Sequence, residues 1–139
     1  LTYTGMEGLT VKLGQGNNNG TVGVDIEQTV MKASYAIGSF TVGYSNNDYD
    51  HTTAANDQET TSYNVSYTMT DSLSISYGMT DIDNSGDTAE VEVTGVTGSY
   101  TSGGMTVSAT SIAADNVDGS STGTDNDNEY WKLAASFAF

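Results

Sequence analysis

The sequence predicts an all-β fold, a transmembrane antiparallel up-and-down β-barrel, with about nine of its strands present in these 139 residues. Three observations predict it. Polar and apolar residues alternate with period two along most of the chain, as a strand with one wet and one apolar face requires. Tight turns and long polar connections alternate strictly, short at one end of the strands and long at the other. The final segment is an alternating aromatic strand that stops on phenylalanine.

Residues 1–6 and 9–15 form the first two expected strands, joined by the turn Glu7-Gly8. The second sets Leu9, Val11 and Leu13 on one face and Lys12 on the other. In 27–37 the apolar face is Met31, Ala33, Tyr35 and Ile37, with Lys32 opposite, and the turn Gly38-Ser39 leads into 40–46. The clearest alternation lies in 62–70, where Tyr63, Val65, Tyr67 and Met69 interleave with Ser62, Asn64, Ser66 and Thr68. Asp71-Ser72 then turns the chain into 73–80, whose Leu73, Ile75, Tyr77 and Met79 interleave with Ser74, Ser76, Gly78 and Thr80, so the two runs make a hairpin. Parity changes within 88–101, since Val91 and Val93 are odd whereas Val96, Gly98 and Tyr100 are even, and a β-bulge near Gly95 is expected to absorb the change. Gly103-Gly104 links this strand to 105–113, and 128–139 is the last. Polar loops are expected at 16–25, 47–58, 81–87 and 115–127.

Composition excludes several functions. Eighteen acidic residues against three basic ones give a net charge of -15, which no phosphate backbone would approach. Without cysteine there are no disulfides, thiolate metal sites or thiol nucleophiles. No apolar run reaches the roughly 18 residues of a membrane-crossing helix, but strands of about 9–11 residues cross as a barrel with a much weaker hydropathy signal. Catalysis finds no support, because His51 is the single histidine and has no accompanying serine motif. Gly14-Gln15-Gly16 lacks the helix that a phosphate-binding turn needs. The chain is expected not to be an enzyme.

Parity directs Lys12, Lys32 and Lys132, all the basic residues present, to the polar face and hence into the barrel as pore-lining groups. Avoidance of hydrocarbon explains that orientation on its own, without a role in conduction. Carboxylates concentrate toward the long-loop side, at Asp48, Asp50 and Asp57, then Asp115, Asp118, Asp125 and Asp127, with Glu90 and Glu92 nearby. They are expected to ring the pore mouth or its loops and to favour cations, a tendency that salt screens; solubility is the plainer explanation. Asp81, Asp83, Ser85, Asp87 and Glu92 match the oxygen spacing of a calcium loop with Gly86 at its sixth position, although strands flank them where helices belong, so looser binding of Ca2+ or Mg2+ is the expectation. Tyr3, Tyr35, Tyr44, Tyr63, Tyr67, Tyr77, Tyr100 and Trp131 take the apolar parity, as in the aromatic girdles of membrane barrels.

The last strand carries the most specific signal. Trp131, Leu133, Ala135, Phe137 and Phe139 form one apolar face, facing away from Tyr130, Lys132, Ala134, Ser136 and Ala138. Here the chain resembles bacterial outer-membrane barrel proteins, whose terminal phenylalanine strand the barrel-assembly machinery reads, so Phe137 and Phe139 are the implied assembly signal. The acidic, glycine-rich hairpins are similar to those of general porins of the alphaproteobacterial type. That resemblance implies the carboxy-terminal part of a 16-stranded, homotrimeric barrel, with further strands before residue 1. It also implies a water-filled channel for small hydrophilic solutes and ions, set among outer-membrane lipid and lipopolysaccharide. In such porins wall lysines or arginines face the carboxylates of an inward-folded loop. The rival expectation is a non-conducting barrel, an adhesin or autotransporter translocator, whose acidic loops bind partners.

Overall fold

The structure is a computed structural model and describes residues 1–21, 24–120 and 127–138. Nine strands, β1 (Thr2–Tyr3), β2 (Leu9–Thr21), β3 (Val24–Ile37), β4 (Phe40–His51), β5 (Gln58–Thr70), β6 (Leu73–Asn84), β7 (Val91–Ser102), β8 (Met105–Asp115) and β9 (Asn128–Phe137), pair in chain order as one sheet. Every neighbouring pair is antiparallel. One short 3-10 turn, Ala54–Asn56, interrupts the connection between β4 and β5.

All four expected tight turns are present, and glycines explain three of them, Asp71-Ser72 having none. Gly8, Gly38, Gly103 and Gly104 have φ of 79°, 56°, 57° and 81°, a region that costs residues with a Cβ about 1–2 kcal/mol. At Gly8 a Cβ would also collide with the carbonyl oxygen of Ala36. These turns fix the register, and the register fixes which side chains share a face.

The sheet is a single layer. Among the described residues no hydrophobic side chain is buried, and Trp131, Leu133, Ile37 and Phe137 are 78%, 67%, 59% and 59% exposed. Two packed layers are what a water-soluble domain uses to hide such a face. Here the apolar side chains form a belt on one face: Leu9, Val11 and Leu13 align with Met31, Ala33 and Tyr35, then Phe40, Val42 and Tyr44, then Tyr63, Val65 and Tyr67. Ile75, Tyr77 and Met79 continue the belt on β6. Phe40 stacks on Tyr67 with ring centroids 4.4 Å apart, and Tyr44 meets Tyr63 at 5.3 Å.

Three expectations fail. The connections expected at 16–25, 47–58 and 81–87 are half or more strand, because β2 to β6 run past the apolar segment for a total of twelve to fourteen residues each. Backbone pairing satisfies the amides whatever the side chains are, so a strand continues after its alternation has faded. Nor is there a bulge near Gly95: β7 keeps unbroken register with both neighbours, and irregularities fall instead between Asn18 and Thr21 and between Thr68 and Thr70. Val91 and Val93 therefore lie on the polar face, and Glu92 on the apolar one. The first strand is also shorter than expected, only Thr2–Tyr3.

Placing a lysine on each face in turn tests the two-faced sheet. Val65→Lys should lower folded-state stability by about 2–4 kcal/mol in a bilayer, whereas Ser66→Lys, one residue on, should be tolerated. Urea titration of protein in lipid vesicles reads the difference.

Candidate functional site

The polar face is built from small hydroxyl and amide side chains that bond across strands. Ser62 meets Thr80 at 2.9 Å, Ser74 meets Ser99 at 2.8 Å, Thr97 meets Thr110 at 3.1 Å and Thr101 meets Thr106 at 2.9 Å. Gln28 Nε2 donates to Asn47 Oδ1 at 2.8 Å, and Gln58 Nε2 to Asn84 Oδ1 at 2.7 Å. Lys12 and Lys32 sit directly opposite each other on this face, beside a hollow of about 490 Å³ shared with Thr10, Ser34, Ser45 and Asn64. Opposed like charges weaken a strand pair. Lys132 is opposite Thr110. No ion pair forms among the described residues, and no carboxylate takes polar-face register within their strands. His51 also has this parity, but its role is local: its Nδ1 accepts from the Thr53 amide at 3.0 Å and its own amide donates to Asp57 at 2.8 Å, fastening the connection after β4.

The opposite face changes character along its length. Beyond the aromatic belt come Glu27, Asp48, Asp50, Glu59, Asp81, Asp83, Glu92, Asp115 and Glu129, all in register with the apolar side chains below them. Asp48, Asp50 and Asp115 thus belong to strands and to the outward side of the rim, where loops at the mouth were expected. Asp57 and Asp118 lie in connections and Asp127 immediately before β9, while Asp125 falls outside the described residues. Glu27, Glu59 and Glu129 complete the rim. Their shared parity was readable only once register joined the strands.

The calcium-loop spacing does not become a loop. Asp81 and Asp83 are in β6, Glu92 is the direct partner of Asp81 across the sheet, and Asp87 accepts from Asn84 Nδ2 at 2.7 Å. These carboxylates do share an open hollow of about 510 Å³ with Glu90. Among the described residues no group of three or more has the geometry to hold a metal ion. Above the belt, partial burial and then repulsion from Asp50, Glu59 and Asp57 raise the Asp48 carboxyl from its ordinary value.

A family model described as Gram-negative porin matches residues 1–94. The chain belongs to that family. A solved porin structure, refined at 1.8 Å resolution, superimposes with a TM-score of 0.65 at 17% identity over 98% of this chain. The chain spans 49% of the length of that porin. Comparison with curated proteins returns no match. A Gram-negative porin sheet belongs to the bacterial outer membrane, where the apolar face of a β-barrel meets lipid. Phe137 closes β9 on the lipid face opposite Met105; Phe139 is outside the described residues.

The rim electrostatics make a prediction of known sign. Because the folded-state pKa of Asp48 is raised, folding favours its protonated form, and the penalty for ionising it grows as pH rises through the raised value. Asp48→Asn should therefore raise the apparent melting temperature at pH 7 in low salt. The gain should vanish as pH falls below the ordinary 3.8. Thermal scans of the folded protein across pH check this.

Proposed function

We propose that the chain forms part of the wall of a water-filled outer-membrane channel, through which small hydrophilic solutes and ions pass by diffusion. The observation that carries this reading is the lumenal face: toward the periplasmic side it is serine, threonine, asparagine and glycine, bonded to one another, with lysine as the charged side chain. Small polar groups leave room for water, whereas a small closed barrel fills its interior with large side chains.

Lys12, Lys32 and Lys132 are pore-lining groups in this proposal. The carboxylate rim acts differently, by lowering the potential around the external mouth within a Debye length, about 8 Å at physiological salt. Cations are then enriched at the entrance and opposed by the lysines inside, so the net preference is cationic in dilute salt and fades as salt rises. Ca2+ and Mg2+ join the same diffuse atmosphere, next to the phosphates of lipopolysaccharide. Assembly as a homotrimer, and delivery by the barrel-assembly machinery through Phe137 and Phe139, are carried over from the family resemblance.

Conductance of the natively purified, unheated protein in a planar bilayer tests the proposal. Stepwise conductance is expected; silence from correctly inserted protein would leave the adhesin or translocator barrel. Under a salt gradient, Lys12→Gln combined with Lys32→Gln should move the reversal potential further toward cations. An unchanged potential would remove the lysines from the wall that permeating ions sense.

A further inference from the structure

The lumenal face is not polar throughout. Near its external end Ile82 pairs directly with Val91, Val93 with Ala114, and Ile112 with Tyr130, so β6 to β9 together carry an aliphatic and aromatic plate on a side that is elsewhere mostly hydroxyls, amides and lysines. Ile112 Cγ1 lies 3.6 Å from where a Gly95 Cβ would stand, at ordinary contact distance from its cross-strand partner. Below the plate are the Thr97–Thr110 hydroxyl pair and Lys132, two residues along β9 from Tyr130. The diagonal from Lys132 to Ile112 is roughly 7–8 Å, within reach of a lysine side chain.

Nothing among the described residues covers the plate. The nearest connection, between β6 and β7, leans the other way, since Asp87, Thr88, Ala89 and Glu90 border the outward hollow with Asp81, Asp83 and Glu92. Glu90 also reaches the outward hollow of Glu59, Thr61 and Tyr63. Backbone bonds hold it there, with the Thr88 and Ala89 amides donating to Gly119 O at 2.9 and 3.2 Å and Asn116 Nδ2 donating to Glu90 O at 3.2 Å. Tyr130 is 54% exposed while Ile82, Val91, Val93 and Ile112 are half-buried, and an apolar patch open to water marks a contact surface for a ligand.

The geometry points to a solute subsite for amphiphilic anions: a carboxylate at Lys132, hydrogen-bonded by the neighbouring threonines, with an aromatic ring or short alkyl chain on Ile112, Val93 and Tyr130. Charge complementarity selects the occupant. The only ionic groups on this face of the described strands are lysines, and a neutral apolar solute would leave Lys132 without a partner. The external carboxylates repel all anions alike, so the plate discriminates among them: it favours an anion whose apolar part gains from contact and gives nothing to an inorganic or hydrophilic one. This inference rests on the channel reading and names a solute class for the same lumen.

The test adds 3-phenylpropionate, lactate or 3-phenylpropionamide to the native protein in a planar bilayer and reads the reversible reduction of potassium chloride current. Phenylpropionate should reduce the current at concentrations at least about threefold lower than either comparator. Val93→Thr, isosteric, and Ile112→Thr, one heavy atom smaller, both checked for folding by the mobility of unheated protein, should each weaken that block by about threefold, and Lys132→Gln should weaken it for phenylpropionate but not for the amide. Equal block by lactate, equal block by the amide, or block unchanged in the threonine variants would each overturn the subsite. Ligand-observed NMR on detergent-solubilised native protein reads binding without conduction. A silent barrel that binds phenylpropionate through these residues would retain the subsite and reject the channel, and a conducting barrel that does not bind it would do the reverse.

Discussion

Hydrocarbon offers no partner to a peptide amide or carbonyl, so any segment crossing it must satisfy every backbone hydrogen bond within the protein. In this chain the obligation is met between strands, in an antiparallel ladder that runs from β2 to β9 with register shifts between Asn18 and Thr21 and between Thr68 and Thr70. The rest of the structure depends on that ladder. It holds the sheet together without a buried core, and it leaves the side chains free to match whichever medium each face meets.

That division of labour accounts for the change of character near the external end. Within the lipid belt, hydrocarbon on one side and water on the other force strict alternation, giving Tyr63, Val65 and Tyr67 against Ser62, Asn64 and Ser66. Above the belt the outer side is wet as well, so Asp81, Asp83 and Glu92 can stand where Tyr77 and Met79 stand lower down. Near the same level the other side carries Ile82, Val91 and Val93. Pairing continues regardless, because the ladder does not depend on side-chain polarity. Net charge is therefore a poor guide to the polar face: the carboxylates of the described strands stand on the apolar side of the sheet, while the lysines stand on the other.

Legibility in the sequence followed the same boundary. Glu7-Gly8, Gly38-Ser39, Asp71-Ser72 and Gly103-Gly104 were readable because glycine and short polar pairs between apolar runs have few other uses, and apart from β1 the strands start or stop beside them as expected. The faces of Lys12, Lys32 and Lys132 were readable for the same reason, each lying between residues of unmistakable parity. External strand ends were not. Asn47 to His51 and Asp81 to Asn84 lack a period-two contrast and read as loops, although they are paired strands. The parity change at Val91 and Val93 was visible but open to two explanations, a bulge or a change of surroundings, and register alone separates them.

The most direct test of this account uses the absence of cysteine from the chain. Single cysteines at Val91, Glu92, Val93 and Thr94 would be exposed to a water-soluble thiol reagent, with and without a polymer that enters and plugs the lumen. The account predicts that the polymer slows labelling at 91 and 93 and leaves 92 unaffected, with 94, nearer the lipid belt, labelled slowly in both conditions. Protection shifting to 92 and 94 would contradict it, because it would mean that β7 carries the bulge and that the acidic rim faces the pore.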